Sequence, residues 1–111
     1  MLLAVVDDLL FRGKLEAAAA QLGTPLTIIA DPEQALHRAE TWSRAFVDLN
    51  LSRGDVLAMV RRLTQARPDL AVIGYCSHIQ EALRRQALEA GCTIVLPRST
   101  FIQRLPELLT G

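Results

Sequence analysis

The sequence predicts an α/β protein, a parallel β-sheet with helices on both faces. Two observations carry this. Five short apolar runs, LLAVV (2–6), LTIIA (26–30), RAFVD (44–48), AVIGYC (71–76) and TIVLP (93–97), alternate with five stretches of helical period. Most of the runs carry Val or Ile and none alternates strictly between apolar and polar, as expected of strands covered on both faces. Right-handed crossovers would join them, and ligands of such sheets sit beyond the carboxyl ends of the strands.

Each helix has its own signals. Over residues 9–22, Leu10, Leu15, Ala18, Ala19 and Leu22 fall near one stripe, and Gly23 is a natural stop. The stretch DPEQALHRAE (31–40) begins with Asp31 as N-cap, Pro32 at the first helical position and Glu33 in the first turn. Residues 55–66 put Val56, Met59, Val60 and Leu63 on one face, and Pro68 follows. Residues 79–90 repeat the pattern with Ile79, Leu83, Ala87 and Leu88, closed by Gly91. A last helix over roughly 100–109 carries Phe101, Ile102, Leu105 and Leu108, with Pro106 inside it. The expected organisation is a single domain over residues 1–111.

Composition narrows the function. Half of the residues are hydrophobic, and twelve basic residues face twelve acidic ones. That is a globular composition, with no basic excess to favour direct nucleic-acid binding. No apolar run reaches the length of a membrane span and no basic lead marks a signal peptide, so a cytoplasmic protein is expected. Cys76 and Cys92 form no CxxC pair, and both read as buried thiols. With only His37 and His78 besides, a zinc site lacks a convincing ligand set. His37 lies among charged and polar residues. Arg61–Arg62 and Arg84–Arg85 read as solvated helix faces, and Trp42 and Tyr75 as packing residues.

Three acids stand out. The first run leads directly into Asp7 and Asp8, and the third ends at Asp48. Adjacent carboxylates repel, and each costs free energy to desolvate, so they need compensation or an exposed edge. Taken singly, such acids are most simply solvated residues at strand ends.

With these residues in view, the sequence resembles the receiver domain of two-component response regulators over essentially its whole length. The resemblance rests on VVDD at strand 1, FVDLNLSRGD around strand 3, VIGYCSH at strand 4, EALEAG before strand 5 and IVLPRS at its end. It implies a flavodoxin-like (βα)5 three-layer sandwich with strand order 2-1-3-4-5. In that order strands 1 and 3 are neighbours, so Asp7, Asp8 and Asp48 should converge in one cleft, a cluster that Mg²⁺ would relieve. By the resemblance, Asp48 is the phosphoacceptor and also a metal ligand. Asp8 is a direct metal ligand, Asp7 acts through water, and the Asn50 backbone carbonyl is a further metal contact. The side chains of Asn50 and His78 tune loss of the phosphoryl group. The implied partners are a histidine kinase or phosphotransfer protein, a downstream protein on the strand 4–helix 4–strand 5 face, and a possible homodimer.

The chain departs from the family pattern at several of these positions. Arg98 stands where receivers have lysine; it keeps the charge on a longer, planar fork. Cys76 takes the Thr/Ser position at the end of strand 4, and a thiol is a weak donor unless Ser77 substitutes. Val95 replaces the Tyr or Phe of strand 5, and Ser52 replaces the usual proline. The first reading is therefore a Mg²⁺-dependent receiver phosphorylated on Asp48, a signalling domain rather than a metabolic enzyme. The second is a phosphorylation-independent pseudo-receiver that serves as an interaction module. A small flavodoxin-like enzyme or cofactor binder is a third, without a glycine-rich phosphate loop after strand 1 to support it.

Overall fold

The computed structural model describes residues 1–52, 54–77 and 80–110. His78 and Ile79, to which a tuning role and a core position were assigned, lie outside the described residues. The strands are β1 (Leu2–Val5), β2 (Leu26–Ile29), β3 (Arg44–Asp48), β4 (Ala71–Cys76) and β5 (Ile94–Pro97). All pair in parallel, in the order β2-β1-β3-β4-β5. The five apolar runs of the sequence are thus the five strands, within a residue at their ends.

Alternation along the strands divides the core in two. Leu3, Val5, Val47, Val72, Cys76 and Val95 face one side. There they meet α2 (Pro32–Leu36), α3 (Val56–Ala66) and α4 (Glu81–Ala90). Ala4, Val6, Phe46, Ile73, Tyr75 and Leu96 face the other side. They pack against α1 (Leu9–Leu22), α5 (Arg98–Gln103) and α6 (Leu105–Thr110). Helices on both faces give the predicted three layers.

The helices follow their caps. Asp31 accepts the N–H of Glu33, and Pro32 sits at the first helical position, as predicted. This helix is shorter than expected and gives way to a 3₁₀ turn at Ala39–Thr41. Asp55 caps α3, whose Val56, Met59, Val60 and Leu63 are all buried. Gly23, in the left-handed region at φ 65°, ends α1.

Two expectations are corrected. The inward stripe of α1 is Phe11, Leu15 and Ala19, whereas Leu10 is 83% exposed and Leu22 41%. Apolar residues nearly encircle this helix, so periodicity alone does not fix its phase; packing of Phe11 on Tyr75 and Phe101 does. The last helix is two helices, broken at Arg104. A continuous helix would need an N–H at Pro106 and would drive its ring against the Ile102 carbonyl; in the first turn of a new helix neither cost arises. Phe101, Leu105 and Leu109 still bury themselves under the sheet, and the Arg44 guanidinium donates to the Leu108 carbonyl.

Candidate functional site at the carboxyl end of the sheet

Asp48 is the last residue of β3 and, among the described residues, the only buried charged or polar one, at 2% exposure. It pairs in register with Tyr75 of β4, and by alternation from Phe46 it shares the α1/α5 face with that tyrosine. One carboxylate oxygen, Oδ1, accepts the Asn50 N–H at 2.9 Å. Burial pushes its pKa above the usual carboxylate range. The Asn50 N–H and the Arg98 charge pull it back, and the charges of Asp7 and Asp8 push it up again.

Asp7 and Asp8 follow β1 at the same end of the sheet but hold local partners. Asp7 Oδ2 accepts the Ser52 hydroxyl at 2.7 Å and the Ser52 N–H at 3.4 Å, binding the β1–α1 turn to the loop after β3. Asp8 is the N-cap of α1: its Oδ1 accepts the N–H groups of Leu10 at 3.0 Å and Phe11 at 3.3 Å. Its Oδ2 lies 3.9 Å from Arg98 Nη1. The expected convergence is therefore looser than the sequence predicts: among the described residues, no three Asp, Glu, His or Cys side chains stand together as a ready metal cage. The cap and the serine hydroxyl hold two of the three carboxylates aside. The donor set nonetheless suits a hard cation. It offers the carboxylate oxygens of Asp7 and Asp8 at the same end of the sheet as the buried Asp48, whose carboxyl feels the charges of both.

Arg98, at the start of α5, is about a third exposed. Its guanidinium carbon lies 5.1 Å from the centroid of Phe11, a cation–π contact, and its Nε is buried without a hydrogen-bond partner among the described residues. Asn50, read from the sequence as a tuning residue, links two loops. Its Oδ1 accepts the Ser77 N–H at 2.8 Å, and its Nδ2 donates to Gln80 Oε1 at 3.0 Å. Cys76 is buried on the α2–α4 face, and Ser77 is exposed at the rim. Cys92 is also buried, which pushes its thiol up to about 12, as a structural thiol requires. Val95 is buried in the same layer as Cys76.

Sequence reasoning passed over one residue. Tyr75, read as packing alone, is 1% exposed, and its hydroxyl has no hydrogen-bond partner among the described residues. Its ring is stacked on Phe11 and Phe101, with centroids 4.8 and 4.5 Å away. Alternation on β4 would have placed it beside Asp48, but an orphaned hydroxyl leaves no mark in a sequence.

No protein-family model matches the sequence, and no curated protein matches it. Solved structures do. A response regulator from Burkholderia pseudomallei, with a phosphorylated aspartic acid and a calcium ion, has a TM-score of 0.82 at 21% identity, covering 97% of this chain and 65% of that one. A receiver domain protein from Methanospirillum hungatei has a TM-score of 0.81 at 17% identity, covering 98% and 92%. The receiver domain of a sensor histidine kinase from Pseudomonas aeruginosa, with magnesium in its active-site cleft, has a TM-score of 0.82 at 23% identity, covering 98% and 93%. The chain has the fold of receiver domains.

Proposed function

We propose that this chain is a receiver that accepts a phosphoryl group on Asp48 and signals through a partner-binding face. One observation carries the reading: in a receiver fold, the single buried acid of the described residues sits at the carboxyl end of the central strand, in the field of Asp7, Asp8 and Arg98. Raising a carboxylate's pKa by burial costs stability, and a catalytic position is where such a cost recurs.

In the proposed reaction an Asp48 carboxylate oxygen attacks phosphorus and forms a new O–P bond. The bond from phosphorus to the donor breaks, and its electron pair leaves with the donor, an imidazole nitrogen of a phosphohistidine or the carboxylate of acetyl phosphate. Mg²⁺ held by Asp8, by Asp7 through water and by the Asn50 carbonyl would offset charge on the incoming oxygens. The Asn50 N–H holds the attacking carboxylate in place. Arg98 turns from Asp8, where its contact is long, toward the new anion. Added charge then biases the loops joined by Asn50 and the face built by β4, α4 and β5, to which a downstream protein or a second copy would bind. The phosphoryl source would be a histidine kinase or phosphotransfer protein.

A second reading has its own observation. The cap on α1 gives Asp8 a structural reason to be present, and Ser52 gives one to Asp7. A phosphorylation-independent interaction module would keep both.

Intact mass after incubation with Mg²⁺ and acetyl phosphate, beside an Asp48→Asn control, separates the two. A gain of one phosphoryl group that the control lacks supports the first. No gain by the folded protein, either with acetyl phosphate or with a phosphorylated histidine donor, supports the second.

A further inference from the structure

A buried donor without a partner destabilises the fold, so the Tyr75 hydroxyl and the Arg98 Nε, both unpartnered among the described residues, call for an explanation. Both lie against one ring. Tyr75 stacks on Phe11, and the Arg98 guanidinium sits over the same ring. Tyr75 is also the in-register neighbour of Asp48 on the same face of the sheet. Burial pushes the pKa of its phenol up, and the charges of Asp48, Asp8 and Asp7 push the same way while Arg98 pulls against them. Phe11 and Phe101, whose own centroids are 6.0 Å apart, pack against the ring from adjacent sides and leave the O–H as its adjustable part. The β4 residue next to it, Cys76, points to the opposite face.

We propose that the Tyr75 hydroxyl, with Arg98 beside it, is the hydrogen-bond donor that receives the anionic group formed at Asp48. The inference rests on the proposed phosphoacceptor role and adds to it a donor for the modified side chain. An acyl phosphate brings acceptor oxygens where Asp48 alone leaves two buried donors unused. Tyr75 O–H donates to that group, and Arg98 supplies charge from the rim. The unmodified protein keeps both donors unsatisfied and the modified protein satisfies them, so the pair favours the modified state.

Tyr75→Phe tests this because it keeps the ring stack and removes only the oxygen. The probe is beryllofluoride with Mg²⁺, a non-covalent stand-in for the phosphoryl group, read by the shift in thermal midpoint across a titration. The expected result is an unmodified variant at least as stable as the parent that binds the probe roughly tenfold more weakly, the effect of one hydrogen bond to a charged group. The parent protein gives an independent reading, since the ¹³Cζ resonance of Tyr75 should move on addition of the probe. Equal affinity of parent and variant, with an unmoved resonance, overturns the inference while the phosphoacceptor reading stands. A folded parent that binds no beryllofluoride and takes no phosphoryl group overturns both.

Discussion

One carboxylate, that of Asp8, joins the start of α1 to the start of α5. Its Oδ1 accepts the N–H groups of Leu10 and Phe11, and its Oδ2 faces Arg98 Nη1 at 3.9 Å. A residue placed by resemblance at a metal site is also a helix cap. The two roles make different demands on its chemistry. A cap needs an oxygen acceptor, which Asn supplies as well as Asp, whereas a cation site needs the negative charge.

Two substitutions at Asp8 therefore separate the roles. Asp8→Ala should cost about 1 kcal/mol by loss of the cap, measured by urea unfolding without divalent cations. Asp8→Asn should unfold close to the parent under those conditions. On adding Mg²⁺ the parent should gain stability by ligand linkage, and both variants should gain little. An Asp8→Asn protein that responds to Mg²⁺ as the parent does would remove Asp8 from the metal site.

The buried Asp48 makes stability depend on pH in a defined direction. Its folded-state pKa is raised, by burial first and by Asp7 and Asp8 after, against the pull of the Asn50 N–H and Arg98. Between the unfolded value and that raised value the native state holds more protons than the unfolded one, so stability falls as pH rises through this window. Asp48→Asn keeps an acceptor for the Asn50 N–H and removes the charge. In metal-free buffer it should be more stable than the parent at pH 7, and the gap should close as pH falls below the ordinary carboxylate range. Thermal midpoints of the two proteins across pH 3 to 8 would show it; a gap that widens in acid would contradict the assigned direction.

The strands were legible because each is a continuous apolar run, and α3 because Asp55, its buried face and Pro68 agree. The phase of α1 was not. LLFRGKLEAAAAQL offers apolar residues on nearly every side, so Leu10 and Leu22 were placed inward and Phe11 was left out. What decides it is packing: Phe11 stacks on Tyr75 and Phe101, side chains distant in sequence, and turns its stripe inward. At the site, Asp48 was legible from its place at the end of an apolar strand. The commitments of Asp7 to Ser52 and of Asn50 to Ser77 and Gln80 were not, because they cross between loops distant in sequence.

Asn50 should behave as a latch between those loops. Asn50→Ala removes the acceptor for the Ser77 N–H and the donor to Gln80 Oε1. Its own N–H to Asp48 is retained, since that bond comes from the main chain. The expected cost is about 1 kcal/mol, because water replaces part of what is lost at an exposed rim. Hydrogen exchange at the Ser77 amide should quicken while that of the β3 and β4 amides holds. Unchanged protection at Ser77 would mean that the side chain of Asn50 does not hold the β4–α4 loop.

Gly91 sets the turn from α4 into β5, the strand that ends at Pro97 beside Arg98. It adopts φ 128°, a conformation L side chains rarely take, and a Cβ there would stand 2.8 Å from Thr64 Cβ and Cγ2. Thr64 cannot easily withdraw, because its hydroxyl donates to the carbonyls of Val60 on its own helix and Ala90 on α4. Gly91→Ala should therefore cost at least about 2 kcal/mol, from backbone strain and from the collision between α3 and α4. Adding Thr64→Gly removes the Cβ, Cγ2 and hydroxyl that a Cβ at residue 91 would meet, and so relieves the collision but not the strain. The double variant should thus be less destabilised than the sum of the two single changes, with a coupling that urea unfolding of all four proteins can measure. Strict additivity would place the whole penalty in the backbone of residue 91 and would mean that α3 and α4 yield at this contact.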